Sequence, residues 1–290
     1  PSGELGSGRG RRGGTVTAAG LAVTDLTVTY SGVLAVDGVS FFAPPGRVTA
    51  LIGPNGAGKT TTFNACSGLL RPSAGTISLF GDEVTGMAPH VRAQRGLGRS
   101  FQKAEVCGSL TVAENIALGR EAQLAGSRPL RHVVRRRQDA AELTAAVDEA
   151  MDRCGLTHLR HVRVGLLSTG QHRLVELARA VAGGYRILLL DEPSSGLDTA
   201  ETAHFAEILS GLAADHAVGI LLVEHDMALV MAISSYIYVL DFGELIFEGS
   251  PADVSASPVV RAAYLGSEAR ELVLLEEAKE EREAVAGEAP

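Results

Sequence analysis

The 290 residues are 46% apolar, 21% charged and 4% aromatic, a balance that excludes disordered and fibrous proteins and suffices for one large core or two modest ones. A formal net charge of -8 argues against non-specific nucleic-acid binding, because a phosphate backbone rewards a basic surface. No run approaches the roughly 18 apolar residues of a membrane-spanning helix, and Cys66, Cys107 and Cys154 form neither a metal-ligand pattern nor a disulfide framework, so buried or inert thiols are expected.

Residues 1–20 are rich in Gly and Ser, carry a basic knot at Arg9, Arg11 and Arg12, and lack a hydrophobic period. They read as a flexible tether. The chain does not start with Met, and the tether is expected either to join it to an upstream domain, a fused permease being one candidate, or to be a processed or tagged terminus. Leu26, Val28 and Tyr30 then alternate with Thr as in a strand, and 47–52 is a short, mostly apolar run. Thr111 and Glu114 form a capping-box pattern ahead of Ile116 and Leu118. The arginine-rich stretch 128–137 reads as a solvated linker, with a partner-docking patch as the alternative, and is followed by Leu143, Val147 and Met151 at helical spacing. Leu174, Leu177, Ala178 and Val181 share a helical face, as do Phe205, Ile208, Leu209 and Leu212. Between these two helices, Ile187 to Leu190 is continuously apolar, which suits a strand covered on both faces. Tyr236 to Asp241 and Glu244 to Glu248 predict a hairpin around Asp241-Phe-Gly243. The acidic segment 268–290, with eight acids against three bases, reads as a solvated tail. Strands alternating with helices make an α/β chain.

Two segments carry chemistry. Gly53-Pro54-Asn55-Gly56-Ala57-Gly58-Lys59-Thr60 fits G-x-x-x-x-G-K-S/T, with a strand before it and a helix opening at Thr60 and Thr61 after it. In such a loop the glycines turn backbone N–H groups onto phosphate oxygens, Lys59 reaches the β and γ phosphates, and Thr60 is placed to ligate Mg2+. Lysine occurs only three times in the chain, so a chance match is improbable. The run Ile187-Leu-Leu-Leu-Asp191-Glu192 ends an apolar strand in two carboxylates that point to opposite sides. Asp191 is expected to hold Mg2+ and Glu192 to polarise the water that attacks the γ phosphate.

Leu167-Ser168-Thr169-Gly170-Gln171, just before that strand, resembles the LSGGQ signature of ABC transporter ATP-binding subunits. The resemblance spans about 21–266. It includes Gln102 at the Q-loop position, Ser195-Gly196-Leu197-Asp198 at the D-loop position, His225 in Val223-Glu-His225-Asp, and Tyr30 where the family stacks an aromatic ring on adenine. It implies a P-loop NTPase cassette with a RecA-like core, an antiparallel β subdomain, and an α-helical subdomain over about 101–182. It also implies ATP and Mg2+ as ligands, with Gln102 on the metal or its water, and with His225 donating to the γ phosphate or holding the attacking water. Two cassettes, identical or paralogous, would pair head to tail, Ser168, Thr169, Gly170, Gln171 and Asp198 of one facing the nucleotide of the other. Thr169 departs from the family pattern, standing where the second signature glycine belongs, and it puts ATP affinity in question.

Four further segments resemble the ATP-binding subunit of branched-chain amino acid importers: Val84 to His90, Gly96 to Gln102, Glu224 to Met231, and Arg261 to Gly266. That implies a peripheral protein on the cytoplasmic face of the membrane, working with two permease chains and, indirectly, an extracytoplasmic binding protein. A lipopolysaccharide-exporting cassette shares some of this pattern. A soluble ABC ATPase is another reading, although neither the second cassette nor the long coiled coil usual in that class is present. A plain P-loop kinase or GTPase would leave 167–171 and His225 without a task, and no N-K-x-D guanine motif occurs.

Overall fold

The computed structural model describes residues 19–30, 32–100, 106–127 and 137–264. Gln102, nearly all of the expected tether, most of the arginine-rich linker and the acidic tail lie outside them. Among the described residues no helix is long and apolar enough to cross a membrane.

Two sheets organise the chain. In the first, β1 (Leu21–Tyr30) lies between β2 (Val33–Ala43) and β4 (Ala74–Leu79), with β5 (Asp82–Glu83) at the edge, all antiparallel. Leu21, Val23, Leu26 and Val28 are buried, and the skip from 23 to 26 falls at a register shift where Asp25 adopts a φ of 49°. A bulge there restores the inward face, which a strict period of two would have lost.

The second sheet has the order β10-β9-β3-β8-β7-β6. Its strands β3 (Val48–Ile52), β6 (Leu97–Arg99), β7 (Ile187–Asp191), β8 (Gly219–Val223) and β9 (Tyr236–Asp241) run parallel, and β10 (Glu244–Gly249) closes the edge as the expected hairpin. Phe242 (φ 47°) and Gly243 (φ 84°) form its two-residue turn, the left-handed pair that a tight hairpin requires.

The apolar run of β7 is covered on both faces, as expected. Ile187 and Leu189 enter a core shared with the first sheet and α1 (Lys59–Ser67), whereas Leu188 and Leu190 enter a second core. That second core is built by α3 (Val112–Ser127), α4 (Arg137–Arg153), α5 (Thr169–Ala182) and α6 (Thr199–His216). Each fully buried aliphatic side chain here contributes roughly 1.5–3 kcal/mol. The Thr111–Glu114 box forms: Thr111 N–H donates to Glu114 Oε2 at 2.8 Å, and Glu114 N–H to Thr111 Oγ1 at 3.3 Å. A third cluster packs α7 (Met227–Ile233) and α8 (Pro251–Ala256) on β3 and β9 through Val230, Val254, Ile52 and Val239.

Between β5 and β6, α2 (Pro89–Gln94) carries Arg92, a fully buried guanidinium. It donates to the carbonyls of Ala65, Cys66, Thr85 and Met87 at 2.7–3.0 Å, satisfying the C-terminal end of α1. The thiols divide: Cys66 and Cys154 are buried, and Cys107 is exposed. It lies just before the turn that leads into α3.

Candidate active site

The loop 53–58 leaves the middle of the parallel sheet and delivers the chain into α1. Gly53 takes a φ of 151°, and a Cβ there would stand 2.1 Å from the carbonyl oxygen of Leu240, so only glycine fits against β9. Gly58, at the N-cap of α1 with φ 95°, offers no side-chain acceptor to the first turn of the helix. The orphan N–H groups of that turn are therefore left for an anion, and the helix dipole reinforces the preference.

Lys59 is buried, and its ammonium donates to the carbonyls of Gly53 at 2.6 Å and Pro54 at 2.9 Å, curling inside the loop. Burial lowers its pKa, opposed by the carboxylates of Glu192 and Asp191. Thr60 and Thr61 follow at the first turn, Thr60 exposed.

Asp191 ends β7 fully buried. Its Oδ2 lies 3.4 Å from the guanidinium of Arg99, while Oδ1 is buried and without a partner among the described residues. Burial raises the pKa of this carboxyl, and Arg99 pulls it back down. A buried carboxylate oxygen with no donor, close enough to Lys59 of the phosphate loop to act on its charge, suits Mg2+, which takes one or two protein oxygens and completes its shell with water and phosphate. Thr60 and Asp191 are the residues that would hold it. Among the described residues there is no cluster of three or more His, Cys, Asp or Glu.

Glu192 follows in a left-handed conformation, φ 49°. Its N–H donates to Val223 O at 2.8 Å, extending the β7–β8 pairing one step beyond the last ladder partners, Asp191 and Val223. The turn swings its carboxylate away from Asp191 towards the end of β8, where Oε1 lies 2.7 Å from Nε2 of His225. Such a conformation costs a non-glycine residue of order 1 kcal/mol. The sequence thus places Lys59, Thr60, Asp191, Glu192 and His225 at the ends of three adjacent strands, β3, β7 and β8, where ligands bind in parallel sheets.

Ser168, Thr169, Gly170, Gln171 and Asp198 form a second set, at the N-termini of α5 and α6. Ser168 caps α5 in a full capping box with Gln171, and Asp198 caps α6 in another with Glu201. Gly170 faces α6 so closely that a Cβ would stand 2.4 Å from Glu201 Oε1. Thr169, the departure from the signature, is exposed at the first helical position; its methyl group lies near Gly196 without displacing the helix start. Tyr30 is exposed at the end of β1, and Gln102 lies outside the described residues.

Two contributors escaped the sequence reading. Arg99 donates to Asn64 Oδ1 at 2.7 Å and Ser67 Oγ at 2.8 Å besides facing Asp191, so it ties α1 to the carboxylate strand. Its only trace in the sequence was a place in the run Gly96 to Gln102. Glu224 stood next to His225 in Val-Glu-His-Asp without an assigned task.

The ABC transporter family matches residues 36–195, and the family described as branched-chain amino acid ATP-binding cassette transporter matches residues 244–270. The chain is 37% identical over 251 residues to the high-affinity branched-chain amino acid transport ATP-binding protein BraF of Pseudomonas aeruginosa, covering 85% of this chain and 97% of BraF. It is 37% identical to LivG of Escherichia coli over 249 residues, with the same coverage, and 32% identical to the lipopolysaccharide export ATP-binding protein LptB of Escherichia coli, covering 86% and 98%. Among solved structures, the ADP conformation of MJ1267, an ATP-binding cassette of an ABC transporter, superposes with a TM-score of 0.75 at 28% identity, covering 85% and 98%. The chain therefore belongs to the ABC transporter family, as one of its ATP-binding, ATP-hydrolysing cassettes.

Proposed function

We propose that this cassette powers import of branched-chain or other hydrophobic amino acids, working as a pair of cassettes beneath two permease chains on the cytoplasmic face of a membrane. The observation that carries the substrate class is the match of residues 244–270 to the branched-chain cassette family, in a segment that contains none of the nucleotide-contacting motifs named above. The 37% identity to BraF and LivG, against 32% to LptB, favours the same side.

In this reading ATP seats its phosphates on the loop 53–58 and the first turn of α1, and the Lys59 ammonium exchanges its two carbonyl partners for phosphate oxygens. Mg2+, held by Thr60 and Asp191 and assisted by Gln102, would neutralise charge on the phosphates. Glu192 accepts the proton of the attacking water, and His225, hydrogen-bonded to Glu192, orients the pair towards the γ phosphate. Tyr30 stacks on the adenine. Ser168 and the N–H groups of Thr169 and Gly170 then close the site from a second subunit, with Gln171 and Asp198 holding the helix starts that present them. A groove of about 220 Å³ lined by Leu69, Pro89, His90, Leu97 and Tyr185, among others, flanks the strand leading to Gln102, and we assign it to the permease.

The test is reconstitution with the permease chains encoded beside it. ATPase activity stimulated by an amino-acid-loaded binding protein is the expected result, and stimulation by a lipid substrate alone would move the assignment to an exporter.

A further inference from the structure

We propose that Glu224 is a positioning residue for hydrolysis, holding His225 in register with Glu192. The inference rests on the roles proposed above for those two residues.

Glu224 is the first residue beyond β8 and is buried, 3% exposed, one position before an exposed histidine. A carboxylate at such depth must find donors, and Glu224 finds them in the backbone. Its Oε1 accepts from Ser194 N–H at 2.8 Å and its Oε2 from His225 N–H at 3.1 Å. These two donors bracket the proposed catalytic pair. Ser194 is two residues after Glu192, in the loop leaving β7, and His225 opens the loop leaving β8. The β7–β8 ladder ends at Asp191 and Val223, and the Glu192 N–H bond to Val223 O is the last direct backbone bridge. Beyond it the two loops would be free to part. Glu224 supplies the next link by side chain, joining them at the level where Nε2 of His225 meets Oε1 of Glu192 at 2.7 Å. The bonds are charge-assisted and shielded from water, so they are stronger than neutral ones.

Of the pair, His225 is the more dependent partner. Glu192 has its own backbone bond to Val223 and its left-handed turn to set its direction, whereas the backbone N–H of His225 is held by Glu224 itself. Loosening the clip should therefore act through His225 and leave the phosphate loop, which lies on a different strand, undisturbed. Positional errors near 1 Å in a reacting group cost up to about a hundredfold in rate.

The experiment is a double-mutant cycle on the full chain, pairing Glu224→Gln with His225→Ala. Glutamine keeps the shape but turns an amide NH2 towards one of the two N–H donors, so one bond is lost. Steady-state ATPase activity and the affinity for a fluorescent ATP analogue are measured for wild type, both single variants and the double variant, with thermal unfolding to verify folding. Expected for Glu224→Gln is a fall in kcat of about ten- to a hundredfold with nucleotide affinity changed less than about twofold. In the His225→Ala background the same substitution should cost less than about threefold, because the group it positions is gone. Losses that multiply fully, or a loss of nucleotide affinity equal to the loss of rate, would make Glu224 a general structural residue and overturn the proposal. So would a normal kcat in Glu224→Gln while Glu192→Gln and His225→Ala are both inactive. If His225→Ala and Glu192→Gln themselves turned over normally, the failure would lie with the catalytic reading instead. Should Glu224→Gln not fold, Ser194→Pro removes the other N–H donor and is expected to give the same kcat-only loss, full activity overturning the clip.

Discussion

Nε2 of His225 lies 2.7 Å from Oε1 of Glu192, and the two residues sit at the ends of neighbouring parallel strands, 33 positions apart in the chain. That contact ties the proposed base to the histidine proposed to act at the γ phosphate. Glu192→Gln is expected to keep nucleotide binding within about threefold while reducing turnover by about a hundredfold or more, since an amide neither accepts the proton nor carries the charge. An ATP-bound dimer should accumulate on size exclusion. Hydrolysis near the wild-type rate would remove Glu192 from the mechanism.

Lys59→Ala should behave oppositely, losing affinity for ATP itself. The ammonium is held inside the loop by the carbonyls of Gly53 and Pro54, pre-set where phosphate oxygens would replace them. Equilibrium binding of a fluorescent nucleotide reads this directly, and unchanged affinity would count against the phosphate-loop assignment.

Arg99 is placed to affect stability. Replacing it with Leu strands the buried Asp191 carboxylate and removes two hydrogen bonds to α1, and breaking a buried pair from one side costs about 3–5 kcal/mol. Denaturant unfolding should show a loss of that order, partly reduced because Arg99 retains some exposure. A change below about 1 kcal/mol would mean that solvent replaces the guanidinium at no cost.

Gly170 faces Glu201 across the N-termini of α5 and α6. Gly170→Ala must push the Glu201 side chain out of its capping box with Asp198, a loss of about 1 kcal/mol in the stability of α6. Thr169→Gly meets no such obstacle, since the threonine is exposed, and is expected to leave thermal stability within about 0.5–1 kcal/mol, the glycine propensity cost alone. Parallel melting curves of the two variants check the contrast.

Burial pushes the Cys66 and Cys154 thiols up to about 12 from an ordinary 9.0. Their folded pKa values are raised, so the stability tied to keeping them protonated is complete below pH 9 and declines as pH rises from about 9 towards 12, where the unfolded thiols ionise first. A maleimide reagent at neutral pH should modify the exposed Cys107 rapidly, and the other two only on unfolding. Mass spectrometry of peptides from native labelling decides it; early modification of Cys66 would contradict the packing around α1.

Much of this protein was legible in one dimension because its signals are local. The loop 53–60 and the Ile187 to Glu192 run join strand, turn and helix within a few residues, and the periodicities at 174–181 and 205–212 describe faces that one helix presents by itself. The hairpin at 241–243 follows from the φ its turn demands. Tertiary structure alone decided what Arg99, Asn64, Arg92 and Glu224 do. A buried arginine or glutamate looks like a surface residue in sequence, since nothing local states which carbonyls or N–H groups from distant segments will meet its charge. The same reason separates the two carboxylates at the end of β7. Their adjacency is written in the sequence, but the left-handed turn at Glu192 and the histidine that awaits it just beyond β8 exist only once the strands are side by side.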